Sequence, residues 1–347
     1  MNIDFQLNSR SFTDVEELLE YSKSLSVDSY HFFSNWFNDE DFIVVQTSGS
    51  TGTPKSIQLK KEHMRNSAIA TGTFFNLKEK TTALLCMSTN YIAGKMMLVR
   101  ALTLGWHINV VEPKSNPLDG IDKVYDFSAM VPLQLQASLN EIYRVKKLIV
   151  GGGVVSTDLV EKIQGISTEV FATYGMTETI THIAVKKLNN FSSSKNRPEQ
   201  SFYKTLPNVF VQKDERQCLV IKASKVSEEI IITNDVIKLI SETEFEWLGR
   251  YDNVINSGGI KLHPEVIEEK LSNILSQRFF VAGVSDTVLG EKLILIVEGK
   301  KYRLDLDKNI LLSKYEYPKE VYFISEFIET ETKKIQRKKT LDLLFKE

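Results

Sequence analysis

Between Thr82 and Phe171 short apolar runs alternate with segments of helical period, and no other feature constrains the fold as strongly. Ala83–Met87, His107–Val111, Val124–Phe127 and Leu148–Val150 read as strands, with helices at Gly94–Leu104, Pro132–Asn140 and Thr157–Gln164. Strand–helix alternation predicts an α/β fold, a layered and mostly parallel sheet with helices on its faces. Ligands of such sheets bind outside the carboxyl ends of the strands. Gly151-Gly152-Gly153 and Thr173–Glu178, the latter after a strand at Glu169–Ala172, both fall there. The three glycines suit either a tight strand-to-helix turn or the close approach of a ligand, and both readings stay open.

Upstream, Thr13-Asp14-Val15-Glu16 predicts a capped helix to about Leu25, and Ser29–Phe37 is a second amphipathic segment. Lys61–Phe75 reads as a helix with His63 on its surface. Downstream of the polar loop 189–200 the helices stop. Val209–Gln212, Leu219–Lys222, Glu229–Thr233 and Phe245–Leu248 predict a small β subdomain. After the Gly249-Arg250-Tyr251-Asp252 turn come a helix at Pro264–Leu275, strands at Phe280–Val284 and Leu293–Val297, a helix at Asp307–Tyr315 and a strand at Val321–Ile324. A chain of 347 residues exceeds one ordinary domain, so residues 1–251 are taken as a large α/β domain and 252–347 as a small α+β one.

A formal charge of −2 argues against electrostatically driven binding of nucleic acid or of a membrane surface. The two cysteines, Cys86 and Cys218, build neither a disulfide framework nor a metal cluster, which suits a reducing compartment. Cys86, inside an apolar run, reads as a buried small hydrophobe. The N-terminus lacks a signal-peptide core and no apolar run approaches the ~20 residues of a membrane span. The expectation is a cytoplasmic protein, with oligomeric state left open.

Two stretches carry chemistry. Thr47–Lys55 reads T-S-G-S-T-G-T-P-K: five hydroxyls, two glycines and a terminal Pro-Lys between the apparent strands Phe42–Gln46 and Ser56–Lys60. Backbone N–H groups freed by Gly49 and Gly52, hydroxyl donors on Thr47, Ser48, Ser50, Thr51 and Thr53, and the Lys55 ammonium suit a triphosphate at a hairpin tip. It is not a Walker A loop, because no Gly-Lys-Ser/Thr ending leads into a helix. In Thr173-Tyr174-Gly175-Met176-Thr177-Glu178 a glycine turn presents a hydroxyl and a carboxylate together, hard ligands for a magnesium–phosphate site. Alone, that turn with a solvated Glu178 would be unremarkable.

The nine-residue loop resembles the phosphate-binding loop of the adenylate-forming enzymes, the superfamily of acyl-CoA synthetases, peptide-synthetase adenylation domains and luciferases. Further motifs match in order over most of the chain from about residue 42. The resemblance implies that Glu178 coordinates Mg2+, that Thr177 contacts the phosphates, that Tyr174 stacks on adenine, and that Gly151, Gly152, Gly153 and Gly175 line the nucleotide and acyl pockets. Asp235, in Ile232-Thr233-Asn234-Asp235, takes the position of the ribose-binding aspartate, with Asn234 where the family has glycine. Arg250 matches the arginine that also touches the ribose. Asp252 resembles the hinge at which a mobile C-terminal lid domain swings, and Asn256–Glu268 the signature that enters the site in the second orientation. Lys334 takes the position of the adenylating lysine, although Lys333 replaces the usual glycine and leaves open which lysine reaches the site. Without the other motifs, Lys333–Lys339 would read as a solvated basic tail.

The implied reaction uses ATP, Mg2+ and a small-molecule carboxylate to make an acyl-adenylate, which coenzyme A then converts to a thioester. The chain is short N-terminal to the phosphate loop, as in the bacterial o-succinylbenzoate–CoA ligases of menaquinone synthesis. Met87–Gly94 followed by Arg100 also resembles their acyl-site helix, and Thr179-Ile180-Thr181-His182 is compatible with them. Lys95 and Arg100 are the candidates to hold a second substrate carboxylate, against a reading of both as solvated charges. Two alternatives stay open: another acyl- or aryl-CoA ligase, or a non-catalytic AMP-binding relative.

Overall fold

The computed structural model describes residues 1–46, 56–191, 202–304, 306, 312–330 and 335–345. Six strands run parallel, in the order Gln6–Leu7, His107–Val110, Thr82–Leu85, Tyr125–Met130, Val145–Val150 and Glu169–Gly175. His182–Lys187 then returns antiparallel, and Tyr203–Thr205, Glu244–Arg250, Ile231–Ser241, Cys218–Lys222 and Phe210–Lys213 extend the same sheet antiparallel to its far edge. The expected β subdomain is thus the antiparallel half of one twelve-stranded sheet. Successive side chains of the parallel strands face opposite cores. Ala83, Leu85, Phe127 and Ile149 pack with helices Lys61–Phe75 and Ile92–Leu104, whereas Leu84, Tyr125, Leu148 and Val150 pack with Pro132–Ala137 and Thr157–Lys162. Burial on both faces explains why these strands are almost wholly apolar. Cys86 belongs to the second core, and burial pushes its thiol up to about 12.

The α/β architecture agrees with the alternation read from the sequence, while several boundaries move. The first helix is Val15–Lys23, one residue later than expected. Asp14, not Thr13, accepts the Glu17 N–H at 2.8 Å, and the Glu17 carboxylate accepts the Thr13 N–H at 2.9 Å. Asp14 caps because its carboxylate satisfies an otherwise orphaned helix donor. Ser26 caps the second helix, Val27–Phe37, in the same way. Phe42–Gln46 pairs antiparallel with Ser56–Lys60, Gln46 opposite Ser56, as a hairpin requires. The loop Thr47–Lys55 between them lies outside the described residues.

A second sheet contains Ile260–Leu262, Ile255–Ser257, Gly290–Glu298 and Phe279–Asp286, with Glu320–Ile324 parallel to Gly290–Glu298. It buries its own core of Leu262, Ile267, Leu271 and Leu295 beneath helix Pro264–Leu271. The expected helix at Asp307–Tyr315 is not supported where it is described. Residues 307–311 lie outside the described set, and from Leu312 the chain turns. There the Glu316 carboxylate accepts the Ser313 N–H at 2.6 Å and the Lys270 ammonium at 2.7 Å, closing a turn instead of a helix. The basic run also contains an unforeseen helix, Arg337–Leu344. Arg337 is no solvated charge: its guanidinium donates to Glu268 at 2.7 Å and to the Val281 carbonyl at 3.3 Å.

Candidate active site

A cleft of about 320 Å3 opens at the carboxyl ends of the parallel strands, where the α/β rule locates a site. Gly151 and Gly152 line one wall, Thr173, Gly175 and Thr177 another, and Arg100 and His182 the floor. Packing and turn geometry account for Gly151 and Gly152, which also line the cleft. A Cβ on Gly151 would meet Thr173 Oγ1 at 2.3 Å, and Gly152 has φ +81, which glycine alone adopts without strain. Gly153 does not line the cleft; its nearest neighbour is Pro132.

Gly175 ends its strand under another strand's backbone, since a Cβ there would stand 2.2 Å from the Thr181 carbonyl oxygen. Between them Thr177–Thr179 makes one 3-10 turn, followed by Ile180 at φ +67 and ψ −60. The Thr181 N–H donates to the Thr179 carbonyl at 2.7 Å, so Ile180 centres a γ-turn of the rare positive-φ kind. A β-branched residue tolerates this conformation only where packing imposes it, and Ile180 is buried. The strained turn lies between Thr177 and His182, which both line the cleft, and Glu178, next to Thr177 in the chain, is exposed. Among the described residues no cluster of three metal-binding side chains occurs. A lone exposed carboxylate suits magnesium, which keeps most of its waters and takes substrate phosphate oxygens.

Arg100 is 1% exposed, and no acidic side chain pairs with it among the described residues. Its donors reach only Thr71 Oγ1 at 3.4 Å, Met97 Sδ at 3.6 Å and His182 Nδ1 at 3.4 Å. Such long bonds compensate a buried charge poorly, and burial pushes the guanidinium down to about 9. His182 is equally buried, its Nε2 lacks a partner, and burial followed by the Arg100 charge holds its pKa well below the usual histidine value. The imidazole is therefore neutral, accepting at Nδ1. Lys95, by contrast, is not brought to the cleft; its ammonium donates to the Asn90 carbonyl at 2.6 Å.

Because His182 resists protonation when folded, the unfolded chain binds the extra proton, and stability is lost as pH falls below about 6.5 towards the folded value. His182→Gln should leave the unfolding free energy at pH 8 little changed. It should also flatten its acid slope by up to one proton, about 1.4 kcal/mol per pH unit. Parallel slopes in denaturant titrations between pH 5 and pH 7 would count against this.

On the antiparallel half, Asp235 faces Arg250 across neighbouring strands. Its carboxylate accepts the Tyr174 hydroxyl at 2.6 Å and Trp247 Nε1–H at 3.1 Å, and Arg250 stands 3.7 Å away. Burial, then the Asp235 charge, push the Tyr174 hydroxyl far up, so it remains a donor. The Tyr174 ring meets Phe245 edge-on at 5.2 Å and Tyr203 at 5.8 Å. Arg250 also lies 3.7 Å from Asp252, whose carboxylate accepts Asn234 Nδ2 at 3.4 Å. Asp235→Ala strands two donors, each costing about 1–3 kcal/mol. Chemical denaturation should show a loss of that order, larger than for Tyr174→Phe, which removes one donor together with its hydroxyl.

The sequence named Thr179-Ile180-Thr181-His182 only as a compatible stretch and assigned no individual role to His182, Thr71 or the γ-turn at Ile180. The signal available was His182 opening the strand His182–Lys187, three residues after a hydroxyl-rich turn. Lys333 and Lys334 lie outside the described residues.

A parallel sheet with this cleft, continued by strands that carry the Asp235–Arg250 pair, is the frame of a nucleotide-dependent enzyme, and residues 7–216 match the family model of the AMP-binding enzymes. The chain belongs to that family. It is 36% identical to an acyl-CoA synthetase (AMP-forming)/AMP-acid ligase II-like protein from Dyadobacter fermentans, with a TM-score of 0.62 over 91% of this chain and 93% of the other. It is 25% identical to the 2-succinylbenzoate–CoA ligase of Bacillus cytotoxicus, over 88% of this chain and 70% of that protein. The o-succinylbenzoate coenzyme A synthetase of Bacillus subtilis, solved with ATP and magnesium, shares the fold at 18% identity. Its TM-score is 0.73, over 97% of this chain and 84% of that one. Among the described residues no helix is long and apolar enough to cross a membrane.

Proposed function

We propose that the protein joins o-succinylbenzoate to coenzyme A in two steps. In the first, a carboxylate oxygen of the acid attacks the α-phosphorus of ATP and pyrophosphate leaves. In the second, the thiol sulfur of coenzyme A attacks the acyl carbon, AMP leaves and the thiol proton is lost. Arg100 carries the choice of acid: a buried, badly compensated guanidinium in the cleft floor is matched by a substrate bearing a second, non-reacting carboxylate. The family membership and the named relatives support the same substrate class.

Under this proposal Thr47, Ser48, Gly49, Ser50, Thr51, Gly52, Thr53 and Lys55 hold the phosphates together with Thr177, and Glu178 holds magnesium. Bound there, the ion would offset phosphate charge. Asp235 and Arg250 bind the ribose, Tyr174 flanks the nucleotide, and Lys334 stabilises the charge that builds on the α-phosphate. Residues 252–347 move about Asp252 between the two half-reactions. Mass spectrometry tests the sequence of steps. Enzyme, ATP, magnesium and o-succinylbenzoate should yield the acyl-adenylate, and added coenzyme A should convert it to thioester. ATP that binds yet gives neither product would leave a nucleotide-binding protein without turnover.

A further inference from the structure

The antiparallel half of the main sheet borders a second cavity, about 430 Å3, that shares no lining residue with the cleft, although Asn256, Lys261 and His263 of the signature after the Asp252 turn help to line it. Such a volume suits a small-molecule ligand. Its wall is cationic: Lys213, Arg216, Lys238 and Lys261 line it, and no carboxylate does among the described residues. Arg216 is neutralised by Asp214 at 2.8 Å, and Lys238 has Glu246 at 3.5 Å. Lys213 bonds only the neutral Gln217 at 2.6 Å, and the Lys261 ammonium has no ion-pair partner among the described residues. Two positive charges therefore border the cavity without compensation. Val236, Leu248 and Val254 supply an apolar surface beside them, and the His263 Nδ1, shielded from solvent, has no hydrogen-bond partner.

We propose that this cavity binds a small phosphate-bearing molecule with an apolar or aromatic body. Lysines that line one cavity from separate strands suit an oxyanion that accepts from several directions, while the apolar surface takes the rest of the ligand. Lys213 and Lys238 lie on the main sheet, and Lys261 and His263 follow the Gly249–Asp252 turn. A ligand bound to all four stabilises the arrangement in which these two parts meet, by its differential affinity for it. A nucleotide and coenzyme A both carry the required chemistry.

The test is calorimetric titration of the full chain with AMP, coenzyme A and inorganic phosphate, after its catalytic cleft has been saturated with a non-hydrolysable ATP analogue. We expect AMP or coenzyme A, whichever is the source, to bind the saturated protein. The double variant Lys213→Gln/Lys261→Gln should weaken that binding at least tenfold and leave the unfolding midpoint unchanged, since both lysines are exposed and neither has an ion-pair partner among the described residues. Binding should also weaken with added salt. No heat from either probe would overturn the proposal, and so would equal affinities for wild type and double variant. Binding of inorganic phosphate alone, insensitive to the variant, would also overturn it.

Discussion

Arg100→Leu should lower kcat/KM for o-succinylbenzoate by roughly 30- to 5,000-fold, while the protein stays at least as stable as wild type. Truncating one partner of a buried charged hydrogen bond costs about 2–5 kcal/mol, which sets that range. The stability half follows from the free protein. There the guanidinium lies fully buried with three long, weak acceptors and no carboxylate among the described residues. Replacing a poorly compensated buried charge with an apolar side chain is commonly neutral or stabilising. Benzoate lacks the second carboxylate, so its slow turnover should hardly change and the variant should discriminate less between the two acids. Steady-state kinetics and thermal unfolding on the same preparation check both halves. A midpoint several degrees lower, with selectivity kept, would make Arg100 a structural residue.

Lys334→Ala should slow adenylation by about 10²–10³-fold, the usual loss for a single donor aimed at transition-state charge, with AMP binding nearly intact. The chain is anchored on both sides of that lysine: Glu329 pairs with Ile335, and Arg337 is bound to Glu268. Lys333→Ala is the informative contrast, because the sequence leaves open which of the two adjacent lysines reaches the site. Pyrophosphate release in single-turnover experiments should fall steeply for one lysine variant and little for the other. Equal, small effects would return the segment to an ordinary basic surface.

The layered sheet was legible because its strands are buried on both faces. A run such as Ala83–Met87 cannot be read as an amphipathic helix, and the glycine turns that follow mark the strand ends where the cleft lies. Asp235 and Arg250 could be named from motif order, but their pairing across two strands is a matter of register, which local sequence does not encode. The same holds for the unity of the sheet, since His182–Lys187 joins its two halves and reads locally as an unremarkable apolar run. Lys95 and Arg100 looked equivalent in sequence. They differ because five residues along a helix turn a side chain through more than a full revolution, leaving one ammonium on a backbone carbonyl and one guanidinium in the core. The roles of His182 and Ile180, named only within a compatible stretch, could not be read for a related reason. A neutral buried histidine and a strained γ-turn are imposed by tertiary packing, not by local preference.

One measurement bears most directly on the central claim: pyrophosphate release from ATP and magnesium by the wild-type protein, with o-succinylbenzoate, benzoate or a medium-chain fatty acid as the acid. Rapid release with o-succinylbenzoate and little with the other two is the predicted result. Preference for either of the others would contradict the role given to Arg100. Release with none, although ATP binds, would contradict the proposal that the protein is a ligase at all.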